Sequence, residues 1–181
     1  MGGRAEHPQL WAFLEALHPG ELLTGTVAAI ERFGVFVALD DGPAHPVFPG
    51  VGFVVYPELS WRRFAAATDV VQVGLRVSGE FLAFDTANLE ARLSLRATQP
   101  DPFQAFADTT TAGRQLRGRV TLLSPVGVFV EVADGVEGLV REPIGECRVG
   151  DELSVVVTGI DRVGRKLTLA PGPQEHLRGR A

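Results

Sequence analysis

Hydrophobic and polar residues alternate in short runs along most of this chain, which is the period of a half-buried β-strand. Glycines and Asp-Gly pairs separate the runs and are typical of turns. The runs predict ten short strands in two sets of five: Leu22–Ile30, Val35–Leu39, Gly52–Tyr56, Val77–Phe84 and Arg92–Leu95, then Leu116–Leu123, Val128–Val132, Gly138–Val140, Leu153–Ile160 and Lys166–Leu169.

Two segments have helical spacing instead. In His7–His18 the large apolar residues recur at intervals of three and four, and Pro19 and Gly20 mark the end. The segment Pro102–Asp108 stands in the same place before the second set of strands, ahead of Gly113. We therefore predict a short helix before each set.

The chain contains an internal repeat. The stretch Gly25–Gly42 recurs as Gly118–Gly135 at a constant offset of 93 positions. Such a repeat indicates one folding unit present twice. Five short strands with glycines at the corners predict a small closed or nearly closed barrel for each copy. The first-copy residues that recur identically are Gly25, Val27, Gly34, Val35, Phe36, Val37, Asp41 and Gly42.

The two copies differ in two connections. The first has seven extra residues within Pro43–Val51, between strands two and three. The second is ten residues shorter between strands three and four. The predicted organisation is a helical lead-in (1–19), a first barrel (20–98), a helical linker (99–113), a second, shortened barrel (114–170) and a flexible tail (171–181).

Composition restricts the class of protein. A hydrophobic content of 45% with 22% charged residues is ordinary for a globular chain. The net charge of −5 argues against general binding of polyanions, although a local basic face is compatible with it. Residues 1–98 carry 7 basic and 11 acidic side chains, and residues 99–181 carry 10 and 11, so the second half repels phosphate less. All basic residues except Lys166 are arginines, which suits nucleic-acid binding but also follows from a GC-rich coding bias.

The sequence lacks the residues that several kinds of function require. No apolar run has the length of a membrane helix and no hydrophobic signal segment follows Met1, so we expect a cytoplasmic protein without a membrane partner. Cys147 is the only cysteine and the four histidines are scattered, so we expect no metal site and no cofactor. No nucleophile–base pair, carboxylate pair or phosphate-binding glycine loop is present, so we expect neither an enzyme nor a small-molecule substrate.

Four segments together resemble the RNA-binding repeat of bacterial ribosomal protein S1, and the junction is similar to the linker between its central repeats. They are Arg32–Val37, Glu58–Trp61, Val73-Gly74 and Leu93–Phe103. The resemblance covers residues 19–170. It implies an all-β fold of two tandem five-stranded OB-fold barrels of the S1 type, in agreement with the strand count.

The resemblance also implies a site for single-stranded RNA on strands two and three, where aromatic rings stack on bases. The two aromatic positions hold Phe33 and Phe36 in the first copy, but Val126 and Phe129 in the second. Alternation favours outward rings for Phe36 and Phe129, since the neighbouring valines claim the interior; the alternative is a core ring. A missing stack costs about 1–3 kcal/mol.

The resemblance also implies a polar residue on strand three that contacts RNA. The histidine that the family carries on strand three corresponds to Val55 in the first copy and Arg141 in the second. Arg141 offers a planar charged surface for RNA, or alternatively forms a salt bridge with Glu137 or Glu142.

Three further basic residues follow acidic turns. Arg92, Arg165 and Lys166 are candidate phosphate contacts, with plain solvated side chains as the alternative. We interpret Asp85 and Asp161 as caps of the turn backbone.

Two functions therefore compete. The first is non-catalytic binding of single-stranded RNA across both barrels, with the ribosome or an RNA-processing complex as a possible partner. The second is a protein-interaction module that keeps the fold and has lost most RNA binding. The negative charge, Val126, Val55 and the apolar stretch Val47–Val51 favour the second function.

Overall fold

The computed structural model describes residues 3–173 and divides the chain into two compact units, residues 1–101 and 102–181. The finer boundaries of lead-in, linker and barrels stay predictions. Most of the predicted tail, residues 174–181, lies outside the described residues.

The first unit is a closed five-stranded barrel preceded by a helix. Its strands follow the order β1-β2-β3-β5-β4, and every pair is antiparallel except β3 with β5. Short 3₁₀ turns cover Tyr56–Glu58, Ala67–Asp69 and Arg96–Thr98. The elements are α1 (Pro8–Glu15), β1 (Leu22–Glu31), β2 (Gly34–Leu39), β3 (Gly52–Val54), β4 (Arg76–Asp85) and β5 (Glu90–Ser94).

The second unit repeats this architecture. Its strands close in the order β10-β8-β7-β6-β9, with β8 and β10 as the parallel pair. A five-stranded Greek-key barrel of this kind is the OB fold, so the predicted fold class is confirmed. The elements are α2 (Pro102–Thr109), β6 (Gln115–Ser124), β7 (Gly127–Ala133), β8 (Val136–Val140), β9 (Glu152–Asp161) and β10 (Lys166–Pro171).

The repeated glycines mark where strands approach one another most closely. A Cβ atom at Gly25 would overlap the Ala38 carbonyl oxygen, and one at Gly118 would overlap a methyl of Val130. Both β1 and β6 also carry a bulge at equivalent places, after Val27 and after Val120. A bulge bends a strand, so each long first strand can curve around its barrel.

Each unit has its own hydrophobic core. The fully buried valines of these strands are Val35, Val37 and Val54 in the first unit and Val130, Val136 and Val140 in the second. Leu10 and Leu14 attach α1 to the first core, and Phe103 and Ala107 attach α2 to the second. Within the described part of the chain, no helix is long and apolar enough to cross a membrane, and no cluster of metal-binding side chains occurs.

Candidate nucleic-acid interface

Strand β2 divides its side chains between the core and the outer surface of the first barrel. Val35 and Val37 lie in the core and are completely buried. Phe36, between them, points to the opposite face and pairs with Phe53 of β3 across the ladder. The alternation predicted for β2 therefore places Phe36 on the outer face.

Phe36 is nevertheless not open to solvent, because only 3% of it is exposed. The expectation of a solvent-facing ring is wrong at this residue. The extra segment Pro43–Val51, called the insertion below, folds back over β2 and lays the Phe48 ring on Phe36 at a centroid distance of 5.1 Å and an interplanar angle of 23°.

Phe53 is a further aromatic residue of this face that sequence reasoning missed. Its ring covers Gly34, where any Cβ atom would overlap it, so the glycine makes room for the ring. Phe53 is 4% exposed. The signal was present in the sequence, because Phe53 lies two residues before Val55 and alternation places both on one face.

Phe33 is the ring of this cluster that faces solvent. It lies at the turn between β1 and β2 and is 62% exposed. Its ring stacks on Phe53 at 5.9 Å with an angle of 25° and meets Phe36 edge-on. Phe33 is therefore held in place and still offers an accessible aromatic surface.

Arg92 of β5 joins the same cluster through Phe53. Its guanidinium lies 4.7 Å from the centre of the Phe53 ring and donates to Asp85 Oδ2 at 2.6 Å. That hydrogen bond holds the pKa of Asp85 below its usual range. Asp85 also accepts the backbone N–H groups of Ala87 and Asn88, so its predicted role as a turn cap is confirmed.

A buried carboxylate lies beside this pair. Glu90 has an oxygen 3.4 Å from the Arg92 guanidinium, but the side chain is almost completely buried. Burial raises its pKa above the ordinary value, while the charge of Arg92 opposes the rise. Its Oε2 has no hydrogen-bond partner among residues 3–173.

The second barrel has fewer aromatic residues than the first on its outer face. Phe129 of β7 is half-buried and pairs with Leu139 of β8, while Val126 at the preceding turn is 62% exposed. Arg141 is exposed, and both an RNA contact and a salt bridge to Glu137 or Glu142 stay predictions for it.

The remaining predicted basic residues have different surroundings. The guanidinium of Arg165 lies 5.5 Å from the centre of the Phe103 ring in α2. Lys166 is exposed at the start of β10. Asp161 accepts the backbone N–H of Gly164, which confirms it as a turn cap.

The second unit has an open groove of about 880 Å³ between the β6–β7 turn and the β8–β9 loop. Val126, Arg141 and Arg148 line it, but so do Glu142 and Glu146. In the first unit the longer connection instead brings the Tyr56 hydroxyl to the Glu31 carbonyl.

Comparison with known proteins identifies the class of these barrels. Residues 17–96 match the family model of the S1 RNA binding domain. The match covers the first barrel, and the internal repeat with the same strand order in the second barrel supports tandem S1-type domains.

Curated relatives of this chain include ribosomal proteins. The chain is 38% identical over 169 residues to small ribosomal subunit protein bS1 of Mycolicibacterium smegmatis, covering 87% of this chain and 33% of that protein. It is 30% identical over 171 residues to bS1 of Neisseria meningitidis, covering 87% and 29%. The chain thus spans about a third of the length of the curated relatives it matches.

Among solved structures, the chain is similar to one in the a/eIF2alpha–aDim2p–rRNA complex from Pyrococcus horikoshii. The identity is 24% and the TM-score 0.39, and the match covers 51% of this chain and 52% of the other.

Proposed function

We propose that this chain binds single-stranded RNA through its S1-type barrels, without catalysing a reaction, as part of the cytoplasmic translation apparatus. The match of residues 17–96 to an RNA-binding domain and the similarity to ribosomal relatives support this function. An RNA strand would lie on the outer faces of β2 and β3 and of β7 and β8, where this fold binds oligonucleotides.

The exposed ring of Phe33 is the observation that carries the proposal. A large aromatic side chain held at 62% exposure by contacts with Phe36 and Phe53 has no partner in the core to explain it. Every base has a flat face that stacks on such a ring, so Phe33 provides a platform that tolerates many RNA sequences.

The basic residues divide between the two units. Arg92 is held by two carboxylates, whereas Arg141 and Lys166 are exposed. We propose Arg141 and Lys166 as the main phosphate contacts, with Arg92 and Arg165 in supporting positions beside aromatic rings.

The alternative, a protein-docking module, loses part of its basis. It depended on the apolar insertion, but Val51 is buried in the core and Phe48 packs on Phe36. Val47 alone of the large apolar side chains in this segment is largely exposed.

A pair of opposite variants tests the proposed site. Phe33→Ala should weaken binding of a labelled single-stranded oligonucleotide about fivefold or more, because one base stack is lost. Val126→Phe restores the aromatic position in the second unit and should tighten binding by a similar factor. Fluorescence anisotropy titration at fixed salt measures both. Unchanged affinity in both variants, or no binding by the wild-type chain, contradicts the proposal.

A further inference from the structure

The insertion lies where RNA would need to stack in the first unit. We infer that Phe48 occupies the base-stacking position on Phe36 in the free protein, so that an RNA base gains this ring only by displacing the insertion. The inference rests on the proposed function, because it concerns how the same face becomes available.

The rings of the insertion are layered as stacked bases are. Phe48 lies nearly parallel on Phe36, and the His45 ring lies on Phe48 at 4.8 Å with an angle of 29°. Offset, nearly parallel rings at these distances form a favourable aromatic contact. A base that stacked on Phe36 would need the space that Phe48 fills.

The contacts of His45 show that it fastens the insertion. Its Nδ1 accepts the backbone N–H groups of Val47 at 3.1 Å and of Phe48 at 2.9 Å. Its Nε2 donates to the Asn88 carbonyl oxygen in the β4–β5 turn at 2.8 Å. Both ring nitrogens are thus engaged within the protein, and His45 ties the insertion to the turn that Asp85 caps.

The connection between β7 and β8 in the second unit has no counterpart of the insertion. There the turn Asp134-Gly135 leads directly into β8 at Val136, and Phe129 is more exposed than Phe36. The two copies therefore differ in access: Phe129 of the second unit is half-buried, whereas Phe36 of the first is 3% exposed beneath Phe48.

Single substitutions in the insertion test this arrangement. Phe48→Ala removes the covering ring and should tighten binding of a single-stranded oligonucleotide about fivefold, the gain expected from one additional stack. His45→Ala should tighten binding in the same direction by releasing the segment. Val47→Ala is the matched control, since Val47 is 78% exposed and belongs to the same insertion; it should leave the affinity unchanged.

Two further measurements assign the gain to Phe36. The double variant Phe48→Ala/Phe36→Ala should lose the improvement. In the wild-type chain, saturating RNA should accelerate hydrogen exchange of the Val47 and Phe48 amides, because their hydrogen bonds to His45 open.

Each outcome decides between the two proposals. If Phe48→Ala weakens binding or leaves it unchanged while Phe33→Ala weakens it, the insertion is a contact or a bystander and the inference fails alone. If the wild-type chain and every variant leave the oligonucleotide free, the proposed function fails and the inference falls with it.

Discussion

Phe53 organises the charged as well as the aromatic residues of the first barrel's outer surface. Phe33 stacks on it and the Arg92 guanidinium lies against it, while Asp85 and Glu90 hold the other side of that guanidinium. A guanidinium between two carboxylates attracts phosphate less than a free one. Arg92 is therefore better suited to positioning Phe53 than to drawing RNA to the surface.

The carboxylate of Glu90 gives a prediction at this scale. Because burial raises its pKa in the folded state, ionisation of Glu90 destabilises the fold at neutral pH. Glu90→Gln should therefore raise the free energy of unfolding at pH 7 by about 1 kcal/mol. The advantage should shrink as the pH falls to the ordinary glutamate value of 4.5 and below, where the wild-type side chain is protonated in both states.

Urea unfolding at pH 7 and pH 4 measures this difference. The exposed Glu31 provides a control, since Glu31→Gln should change stability little at either pH. A Glu90→Gln variant that is less stable than wild type at pH 7 would show that the attraction to Arg92 outweighs the burial of the charge.

Among the elements, the strands of both barrels were predictable and the insertion was not. Alternation predicted β1 as Leu22–Ile30, and the structure extends it by one residue to Glu31. The predicted third strand ran to Tyr56 but ends at Val54, because a 3₁₀ turn covers Tyr56–Glu58 and Pro57 within it has no N–H for the ladder. Alternation is a local property, and therefore it is readable from the sequence.

The cover on Phe36 depends on contacts between distant parts of the chain. The length difference between the copies located the insertion, but its path over β2 is set by the His45 bond to Asn88, 43 positions away. No local pattern specifies such a bond. Alternation therefore predicted the correct face of the strand for Phe36. It predicted the wrong solvent exposure, because the segment that covers the ring is held by a distant contact.

Helix α1 gives a prediction at the scale of elements. Leu14 is 1% exposed in the first core, so Leu14→Ala should lower the free energy of unfolding by about 2–5 kcal/mol. Gln9→Ala on the exposed side of the same helix should change it little. Thermal and urea unfolding measure both variants. A loss below about 1 kcal/mol for Leu14→Ala would mean that α1 contributes little to the first barrel.

For the molecule as a whole, the duplication joins two unequal proposed sites. The first unit has the larger aromatic cluster, much of it covered, and the second has exposed basic residues with fewer rings. Two weak sites on one chain reinforce each other through effective concentration when one RNA strand reaches both.

The length of the RNA tests this joint action. An OB fold contacts about 4–16 nucleotides, so a strand of about 30 nucleotides should bind more than tenfold tighter than one of about 8. Combining Phe33→Ala with Arg141→Ala should remove most of that advantage, while Val163→Ala, in the exposed β9–β10 turn, should preserve it. A longer strand also offers a single unit more positions at which to bind. If the affinity rises only in proportion to the number of such positions, the two units act separately.

The hydrogen-bonded ring in each barrel has a consequence for chain architecture. Every strand has a neighbour on both sides, so neither barrel offers a free edge that another copy can join. Units of this kind can follow one another along one polypeptide without aggregating through pairing of exposed edge strands. A barrel whose strands all have partners is thus well suited to proteins that lengthen by tandem duplication of a domain.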